Sequence, residues 1–353
     1  GQLHSGARYA VGDRNIAKEC MDEVRILQKI APESLEMNYG LFVALNDEDV
    51  EFGETFIQAC LESTIPAKDV PVERALKMEP LLSPEIKRAV QVPDGTIDAW
   101  RLPLHFFATA QANGAVVKNF TEVVGIHVEN RRVTGVRVLD HPTQQEYDID
   151  ADYVISATGA WAGWVSKMVG IEIPITPAPG SMVAVKKRLN NMVISHLHPA
   201  GDGDIIVPQR KLSIIGSTQW QTDDPDSILA RHEDIEYLIR RATEMIPAFG
   251  ETAYHAAWSA VRPLAGKAEG EEGRKLSRDF NVVDHEKEDG IAGFMSVIGG
   301  KATVLRAMAE KTVDAFCSII GEEIPCTTTN TPLLPHRVFY NPSLVRGGAY
   351  AGN

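Results

Sequence analysis

The chain has 353 residues, of which 44% are hydrophobic and 24% are charged, and its formal net charge at pH 7 is −13. This balance is typical of a soluble globular protein, and so acidic a chain is a poor general binder of nucleic acid. No apolar run approaches the roughly 20 residues that span a bilayer, and the opening residues GQLH do not resemble a signal peptide.

The cysteines indicate neither a metal site nor a disulfide framework. Cys20, Cys60, Cys317 and Cys326 lie far apart in the sequence and form no CxxC pair. We therefore expect buried or half-buried thiols in a reducing compartment, and no metal site.

The first elements predicted along the chain are a helix, a strand and a second helix. Asp13 can cap the first helix. Its apolar face repeats at helical spacing in Ile16, Cys20, Val24 and Leu27. A strand is predicted over 40–45 and a helix over about 49–62.

The middle of the chain has the clearest α/β pattern. A helix predicted over 102–113 is followed by a short strand over 114–117. Alternating residues then predict a β-meander with strands over 122–129, 132–139 and 147–149. Residues 152–159 predict a buried strand that runs into a glycine turn.

The last part of the chain mixes strands and helices. Strands are predicted over 181–186, 205–208, 213–217 and 294–298. Helical periodicity predicts one helix through Ile235, Leu238, Ile239, Ala242 and Met245, and another through Leu305, Met308, Ala309, Thr312 and Phe316. Residues 269–274 are expected to form an exposed loop, and the chain past Cys326 to be weakly ordered.

Two glycine-containing stretches at predicted strand ends are candidate ligand-binding segments. Residues 157–161 read ATGAW, at the kind of position where open α/β sheets bind ligands, although an ordinary turn explains this stretch equally well. Residues 299–301 read GGK before a helix, whose N-terminus suits the negative charge of a reduced flavin. Taken alone, that stretch is better explained as a glycine turn with a solvated lysine.

Scattered basic residues form a third candidate feature. Arginine presents a planar fork that binds phosphate through paired hydrogen bonds, so a converging set would make an anion site. Singly, each is better explained as an ordinary surface side chain. The set comprises Arg8 beside Tyr9, Arg262, Arg278 and Lys301. The sequence contains no GxGxxG, P-loop, HExxH or GxSxG motif.

Taken together, these stretches resemble the FAD-dependent glycerol-3-phosphate dehydrogenases, most closely the anaerobic-type catalytic subunit. The resemblance extends from His4 to about Pro335. The matching motifs follow the order of the family: 3–11 (LHSGARYAV), 94–98 (DGTID) with Arg101-Leu102, 157–161, 179–181 (PGS), 216–218 (GST), 261–264 (VRPL), 277–278 (SR) and 299–301.

The resemblance implies an α/β (mixed α+β) fold of two interleaved parts. One is an FAD/NAD(P)-binding-type domain, truncated at its N-terminus, over 1–37, 91–173 and 279–330. The other is a mixed-sheet substrate-binding domain over 38–90 and 174–278. Residues 331–353 would form a tail.

Site residues are also implied by the resemblance. The residues beside FAD would be Ser5, Gly6, Val123, Thr158, Gly159, Trp161, Gly299, Gly300 and Lys301, with Val123 near the adenine. The substrate pocket would comprise Arg8, Tyr9, Arg262 and Arg278, in which Arg262 and Arg278 would bind phosphate.

The implied reaction transfers a hydride from C2 of sn-glycerol 3-phosphate to FAD and gives dihydroxyacetone phosphate. A base must accept the hydroxyl proton. Aerobic members of the family place a histidine two residues after the glycine that matches Gly180, but Met182 occupies that position here. His4 and Lys301 are therefore the candidate catalytic residues, and a histidine elsewhere in the chain stays open as an alternative.

Two family segments have no counterpart in this sequence. They are the N-terminal strand–GxGxxG–helix and the C-terminal cysteine-rich iron–sulfur region. We therefore expect these 353 residues alone to bind FAD weakly or not at all. The resemblance also implies a cytoplasmic enzyme, peripheral at the inner membrane face, whose electrons pass to a quinone through membrane-associated partner subunits.

Two alternatives remain open. One is a flavin-dependent 2-hydroxyacid or amino-acid oxidoreductase similar to L-2-hydroxyglutarate dehydrogenase, which would pair its arginines with a carboxylate. The other is a non-catalytic binding or assembly module.

Overall fold

The computed structural model describes residues 1–266 and 279–346 of the chain. None of the helices in these two ranges combines the length and the apolar character that a bilayer span requires. The loop predicted over 269–274 lies outside the described residues. The helices are α1 (Arg14–Ile30), α2 (Asp47–Glu62), α3 (Val72–Met78), α4 (Arg101–Ala112), α5 (Ala162–Lys167), α6 (His232–Met245), α7 (Ala248–Glu251), α8 (His285–Asp289), α9 (Leu305–Ile320), α10 (Arg337–Tyr340) and α11 (Ser343–Arg346).

The largest sheet has eight strands from two separate parts of the chain. They are β3 (Gly40–Ala44), β4 (Lys68–Val70), β5 (Arg88–Val92), β11 (Ile175–Val185), β12 (Val193–His196), β13 (Ile205–Gln209), β14 (Leu212–Gly216) and β15 (Tyr254–Ala265). Their order across the sheet is β15-β11-β14-β13-β12-β3-β5-β4. The pair β12–β3 is parallel and the other pairs are antiparallel.

Three small sheets are formed by the remaining strands. The first has β1 (Gln2–Leu3), β6 (Gly95–Ile97) and β2 (Leu35–Glu36), in that order. The second is the predicted meander of β7 (Thr121–Glu129), β8 (Arg132–Asp140) and β9 (Gln145–Asp150). The third has β10 (Val154–Ser156), β17 (Phe294–Gly299) and β16 (Phe280–Asp284), in that order.

The central strand β3 joins the two main hydrophobic clusters. Successive strand residues point to opposite faces, so Phe42 belongs to the cluster with α1 and α2, while Leu41 and Val43 belong to the cluster that includes the buried face of α6. Burial on both faces explains why the strand reads as a continuous apolar run, GLFVA. The predicted strand over 40–45 and the mixed α/β fold class are thereby confirmed.

Helix α1 begins as its sequence predicts. The side chain of Asp13 accepts a hydrogen bond of 3.0 Å from the backbone N–H of Ile16, which satisfies a donor at the helix N-terminus. The predicted apolar positions Cys20, Val24 and Leu27 are buried, and Ile16 is half-buried.

Three secondary-structure predictions were wrong. Residues 114–117 form no strand, because Gly114 (φ +94°) and the hydrogen bond from the Ala115 N–H to the Ala110 carbonyl end α4 in a turn. The strand predicted over 152–159 shortens to β10, an edge strand of its described sheet, and the side chain of Ile155 is 41% exposed. The chain past Cys326 is not weakly ordered throughout, since the backbone N–H of Leu333 donates to the Ile30 carbonyl and Val338 is buried.

The sheets divide the chain along lines similar to the proposed domains. The eight-stranded sheet takes its strands from 40–92 and 175–265. The three small sheets take theirs from the segments before, between and after those two. This partition supports the proposed two-part organisation, whose boundaries remain a prediction.

Candidate active site

Two of the sequence motifs lie at the same edge of one sheet. Strands β10 and β17 are parallel, with Ser156 opposite Ser296, so their carboxyl ends point the same way. Thr158 and Gly159 follow β10, while Gly299 ends β17 and Gly300 and Lys301 come next. Strand ends of this kind are where open α/β sheets bind ligands.

Glycine is required at both positions of the 299–300 pair. Gly299 and Gly300 have φ angles of +83° and +95°, which side chains of L-residues rarely adopt. An added Cβ would also collide with the Asp279 carbonyl oxygen at Gly299 and with the Met308 side chain at Gly300. The turn leads into a 3₁₀ turn at Ala302–Val304 and then into α9.

The N-terminal segment is joined to this turn by hydrogen bonds. The backbone N–H of His4 donates to Thr303 Oγ1 at 3.2 Å. Ser5 is buried and donates from its backbone N–H (2.8 Å) and its hydroxyl (2.5 Å) to Oδ1 of buried Asp94. Asp94 therefore fixes the segment that the resemblance places beside the flavin.

The hydrogen bonding of His4 bears on its predicted role as a base. The backbone N–H of Gly6 donates to His4 Nδ1 at 2.9 Å, so that nitrogen carries a lone pair. The neutral ring then holds its proton on Nε2 and acts there as a donor. This geometry disfavours His4 as the proton acceptor.

Two more predicted residues gather around His4. Its ring stacks on the ring of Tyr9, with centroids 4.8 Å apart. The ammonium group of Lys301 lies 5.1 Å from the centroid of the same Tyr9 ring, within cation–π range. His4 and Lys301, the two candidate catalytic residues, therefore both lie close to the ring of Tyr9.

A cavity of about 1740 Å³ opens beside these residues. His4, Arg8, Tyr9 and Arg262 all line it. Met182 lines it too. The structure thus brings residues that are far apart in the sequence into one wall.

Arg8 is held by a buried acidic group that sequence reasoning missed. Its Nη2 donates to Asp204 Oδ2 and to the Gly201 carbonyl, the latter at 2.7 Å. Burial would raise the pKa of Asp204, but the hydrogen bond from His198 and the charge of Arg8 hold it well below its ordinary value. Within residues 1–266 and 279–346, Arg8 Nη1 is buried and has no hydrogen-bond partner.

Behind Asp204 lies a network of histidines. His198 Nε2 is 3.0 Å from Asp204 Oδ1, and His196 Nε2 is 2.8 Å from Asp49 Oδ2. Ligand atoms of His196, His198 and Asp204 lie within 4.8 Å of one another, a spacing that could suit a metal ion. However, the carboxylate of Asp204 already binds the guanidinium of Arg8. An ion-pair network therefore explains this cluster better than a metal site does.

Arg262 is oriented by the edge of the large sheet. It lies on β15 opposite Ala178 of β11, and its guanidinium donates to the hydroxyl of Ser217 and the carbonyl of Thr218. A Cβ at Gly180 would come within 2.7 Å of Arg262 Nη1, so the glycine of the PGS motif makes room for the guanidinium.

Several predicted site residues do not line the cavity, among them Ser5, Gly6, Thr158, Gly159, Gly299, Gly300 and Lys301. The structure does not place three further residues, Val123, Trp161 and Arg278, with this group. Val123 lies in β7 of the meander and does not line the cavity. Trp161 is partly exposed, and its ring N–H donates to Asp226 Oδ1 at 2.8 Å. Arg278 lies outside the described residues. The roles of all three remain predictions.

The residues present fit a flavin. Ordinary ligand pockets enclose about 300–1,000 Å³, so this larger cavity has room for an isoalloxazine ring beside a small substrate. Its walls include the aromatic side chains of Tyr9, Trp100 and Trp258. Gly299 and Gly300 allow backbone to approach a planar ligand closely at the adjoining strand end.

Comparison with known proteins supports the same conclusion. Residues 1–304 match the model of the family DAO, described as FAD dependent oxidoreductase. The A subunit of the anaerobic glycerol-3-phosphate dehydrogenase from Escherichia coli (strain K12) is 37% identical over 335 residues, which are 94% of this chain and 62% of that protein. The chain thus spans about three-fifths of the length of this curated relative.

Solved structures share the fold. The glycerol-3-phosphate dehydrogenase from Bacillus halodurans, complexed with FAD, superposes with a TM-score of 0.69 at 24% identity, covering 89% of this chain and 58% of that one. L-proline dehydrogenase from P. horikoshii reaches the same TM-score at 20% identity, covering 91% and 83%. Because enzymes named for different substrates match equally well, the superposition identifies the fold alone. The family match over residues 1–304 goes further and confirms the expected flavin cofactor for the family: this chain belongs to the DAO family of FAD-dependent oxidoreductases.

Proposed function

We propose that this protein oxidises sn-glycerol 3-phosphate to dihydroxyacetone phosphate. The observation that carries the proposal is the presence of Arg8 and Arg262 in the wall of one cavity, although they lie far apart in the sequence. In a protein of net charge −13, two guanidinium groups in one pocket favour an anionic ligand. Their planar forks suit phosphate.

Each arginine is held in place before substrate binds. Asp204 and the Gly201 carbonyl fix one side of the Arg8 guanidinium, which leaves Nη1 as a buried donor. Ser217 and the Thr218 carbonyl orient Arg262. We assign the phosphate to Arg262, together with Arg278 as the resemblance implies, and a substrate oxygen to Arg8. Such fixed donors lower the entropic cost of orienting a small flexible substrate.

FAD, when bound, supplies the acceptor for the hydride that leaves C2 of the substrate. We propose that Ser5, Gly6, Gly299 and Gly300 lie against it. The support is that His4, which lines the cavity, donates from its backbone N–H to Thr303, just after the 299–301 turn. As a neutral amine, Lys301 would accept the hydroxyl proton, and the positive charge that it then gains would stabilise negative charge that develops beside it. His4 would donate a hydrogen bond from Nε2, which leaves Lys301 as the remaining candidate for the proton acceptor.

We further propose that partner subunits carry the electrons to a quinone at the inner membrane face. The name of the Escherichia coli relative, the A subunit of an anaerobic glycerol-3-phosphate dehydrogenase, supports both the substrate and the existence of partners. Substrate-dependent reduction of a quinone by membranes that carry the protein, absent from membranes without it, is the expected result. If membranes with and without the protein reduce the quinone equally, the quinone proposal is wrong.

The substrate is tested with the purified protein in saturating excess of FAD, which offsets weak cofactor binding. Reduction of an artificial electron-accepting dye is followed with sn-glycerol 3-phosphate, glycerol or L-2-hydroxyglutarate. We expect turnover with sn-glycerol 3-phosphate alone. Arg262→Lys should raise its KM at least about tenfold, because a hydrogen bond to a charged group contributes roughly 1.5–3 kcal/mol.

The matched control is Arg25→Lys, which changes an exposed arginine paired with Asp22 and should leave KM unchanged. Turnover with L-2-hydroxyglutarate in place of sn-glycerol 3-phosphate would identify a carboxylate-binding enzyme instead. No dye reduction with any of the three compounds, in protein whose bound flavin has been confirmed by its absorbance, would contradict the proposed activity altogether.

A further inference from the structure

Three side chains that are remote in sequence meet where the C-terminal segment packs against the N-terminal part of the chain. Glu33 lies in the 3₁₀ turn Pro32–Ser34, His105 in α4, and His336 directly before α10. One ligand atom of each lies within 4.8 Å of those of the other two. The group lies outside the lining of the large cavity and has no part in the proposed reaction.

His105 presents a lone pair into this group. Its ring is 2% exposed, and Nδ1 lies 2.7 Å from the carbonyl oxygen of Leu334. A carbonyl can only accept, so Nδ1 carries the proton and Nε2 of the neutral ring carries the lone pair. Among the described residues, this buried Nε2 has no hydrogen-bond partner. An unsatisfied buried polar atom destabilises a fold, so something is expected to fill the position.

His336 presents a second such nitrogen. Its Nδ1 is also buried and lacks a partner within the part of the chain that the structure describes. The two rings meet edge to face, with centroids 5.3 Å apart.

We propose that Glu33, His105 and His336 bind one divalent transition-metal ion, with Zn²⁺ as the ion that best fits the donor set. Two imidazole nitrogens and one carboxylate oxygen are ordinary zinc ligands, and water completes the coordination. The hydrogen bond from His105 Nδ1 to a backbone carbonyl is the orienting contact that metal-binding histidines usually make.

Two of the three proposed ligands border a small cavity. Glu33 and His105 line it together with Lys29 and Leu333, and its volume is about 150 Å³. Arg101, one of the cations nearby, is 3.5 Å from the Asp98 carboxylate. The His196–His198–Asp204 group differs, because there an arginine binds the carboxylate directly.

The ion would fasten the C-terminal segment to the body of the protein. That segment is already held by hydrogen bonds from the Leu333 N–H to Ile30 and from the Leu334 N–H to Thr109 Oγ1, at 2.8 and 2.9 Å. A ligand from each of the three segments would cross-link them. Metal binding to the native state alone stabilises it by mass action.

The test uses tag-free protein that has been stripped with a chelator and titrated with Zn²⁺ by calorimetry, with metal content measured after gel filtration. We expect one equivalent of Zn²⁺ per chain and a concentration-dependent rise in Tm. His105→Gln and His336→Gln should each weaken binding by more than the roughly 10–100-fold that loss of a supporting residue causes.

Glu33→Gln and His336→Gln alter an exposed and a half-buried side chain, so they keep the test valid if His105→Gln fails to fold. The matched control is His232→Gln, which removes an exposed histidine 3.2 Å from Glu236 and should leave Zn²⁺ binding intact. A single water donating to both ring nitrogens is the competing explanation, and it predicts no stoichiometric Zn²⁺. Binding that survives the ligand variants, or that His198→Gln abolishes instead, would overturn the proposal.

Discussion

Arg8, which lines the large cavity, forms a buried ion pair with Asp204, and the two side chains are 8% and 1% exposed. The pair has two roles that can be separated. It compensates a charge that would otherwise be buried alone, and it directs one face of the Arg8 guanidinium toward the cavity. Breaking a buried pair by removing one partner leaves an uncompensated charge.

We therefore expect Asp204→Asn to lower the free energy of unfolding by about 3–5 kcal/mol and to raise KM for sn-glycerol 3-phosphate. Urea denaturation at pH 7 measures the first effect and steady-state kinetics the second. The control is Asp47→Asn, which breaks an exposed pair with Lys87 and should cost less than about 1 kcal/mol. Equal losses in the two variants would show that Arg8 does not depend on Asp204.

The same pair makes a prediction about pH. The pKa of Asp204 is held below its ordinary value in the folded state, so its stabilisation is complete above the unfolded pKa of about 3.9. The stabilisation is lost as pH falls through the folded pKa. We expect the difference in unfolding free energy between wild type and Asp204→Asn to be constant from about pH 5 to 8, and to shrink below about pH 4. A difference that changes near neutral pH would contradict this assignment.

A second buried pair joins α1 to α9. Glu23 accepts two hydrogen bonds from Arg306, of 3.0 Å from Nε and 2.5 Å from Nη2, and both side chains are 4% exposed. Glu23→Gln should lower the unfolding free energy by about 3–5 kcal/mol. Glu62→Gln, in the largely exposed Arg14–Glu62 pair, should cost under about 1 kcal/mol. Chemical denaturation of the two variants measures both changes in unfolding free energy. Similar decreases in the two variants would show that burial of the pair does not determine its contribution to stability.

Features governed by local rules could be predicted from the sequence. The Asp13 cap, the buried face of α1 and the β-meander depend on neighbours within a few residues or one hairpin. The placement of 158–159 and 299–301 at one sheet edge also follows from a rule, because parallel strands share the direction of their carboxyl ends.

Features that depend on distant contacts could not be predicted. The strand that carries Arg262, β15, contains Pro263 and many half-exposed residues, and its conformation comes from pairing with β11. Asp204 showed no periodic signal, because its burial arises only where the segments of Arg8 and His198 meet. The order in the C-terminal segment likewise depends on contacts with Ile30 and Thr109.

The cysteines are expected to differ sharply in reactivity. Burial raises the pKa of Cys20 to about 11 and that of Cys60 to about 12, so neither forms much thiolate at pH 8. Cys317 is also buried, whereas Cys326 is half-buried. Titration of the native protein with a disulfide reagent at pH 8 should modify one thiol quickly. Cys326→Ser should remove this fast phase, and two or more fast thiols would be inconsistent with the described burial.

Gly6 lies directly against the backbone of α1, and this contact fixes the segment that carries His4 and Arg8. Its φ angle is +95°, and an added Cβ would come within 2.7 Å of Ala17 Cα. Gly6→Ala therefore combines conformational strain with a collision. Gly114→Ala separates the two effects, because Gly114 has φ +94° but open space around it, and should cost only the roughly 1–2 kcal/mol of a left-handed residue.

Gly12→Ala is the third member of this series, since its nearest neighbour would be 3.7 Å away and its φ angle is not positive. We expect the unfolding free energy to fall in the order Gly12→Ala, Gly114→Ala, Gly6→Ala, measured by urea denaturation of all three. Only Gly6→Ala should also raise KM for sn-glycerol 3-phosphate, because it displaces the segment bearing Arg8. Equal destabilisation at Gly6 and Gly114 would mean that α1 shifts to accommodate the added methyl group. The contact between Gly6 and α1 would then not fix the position of the segment that carries His4 and Arg8.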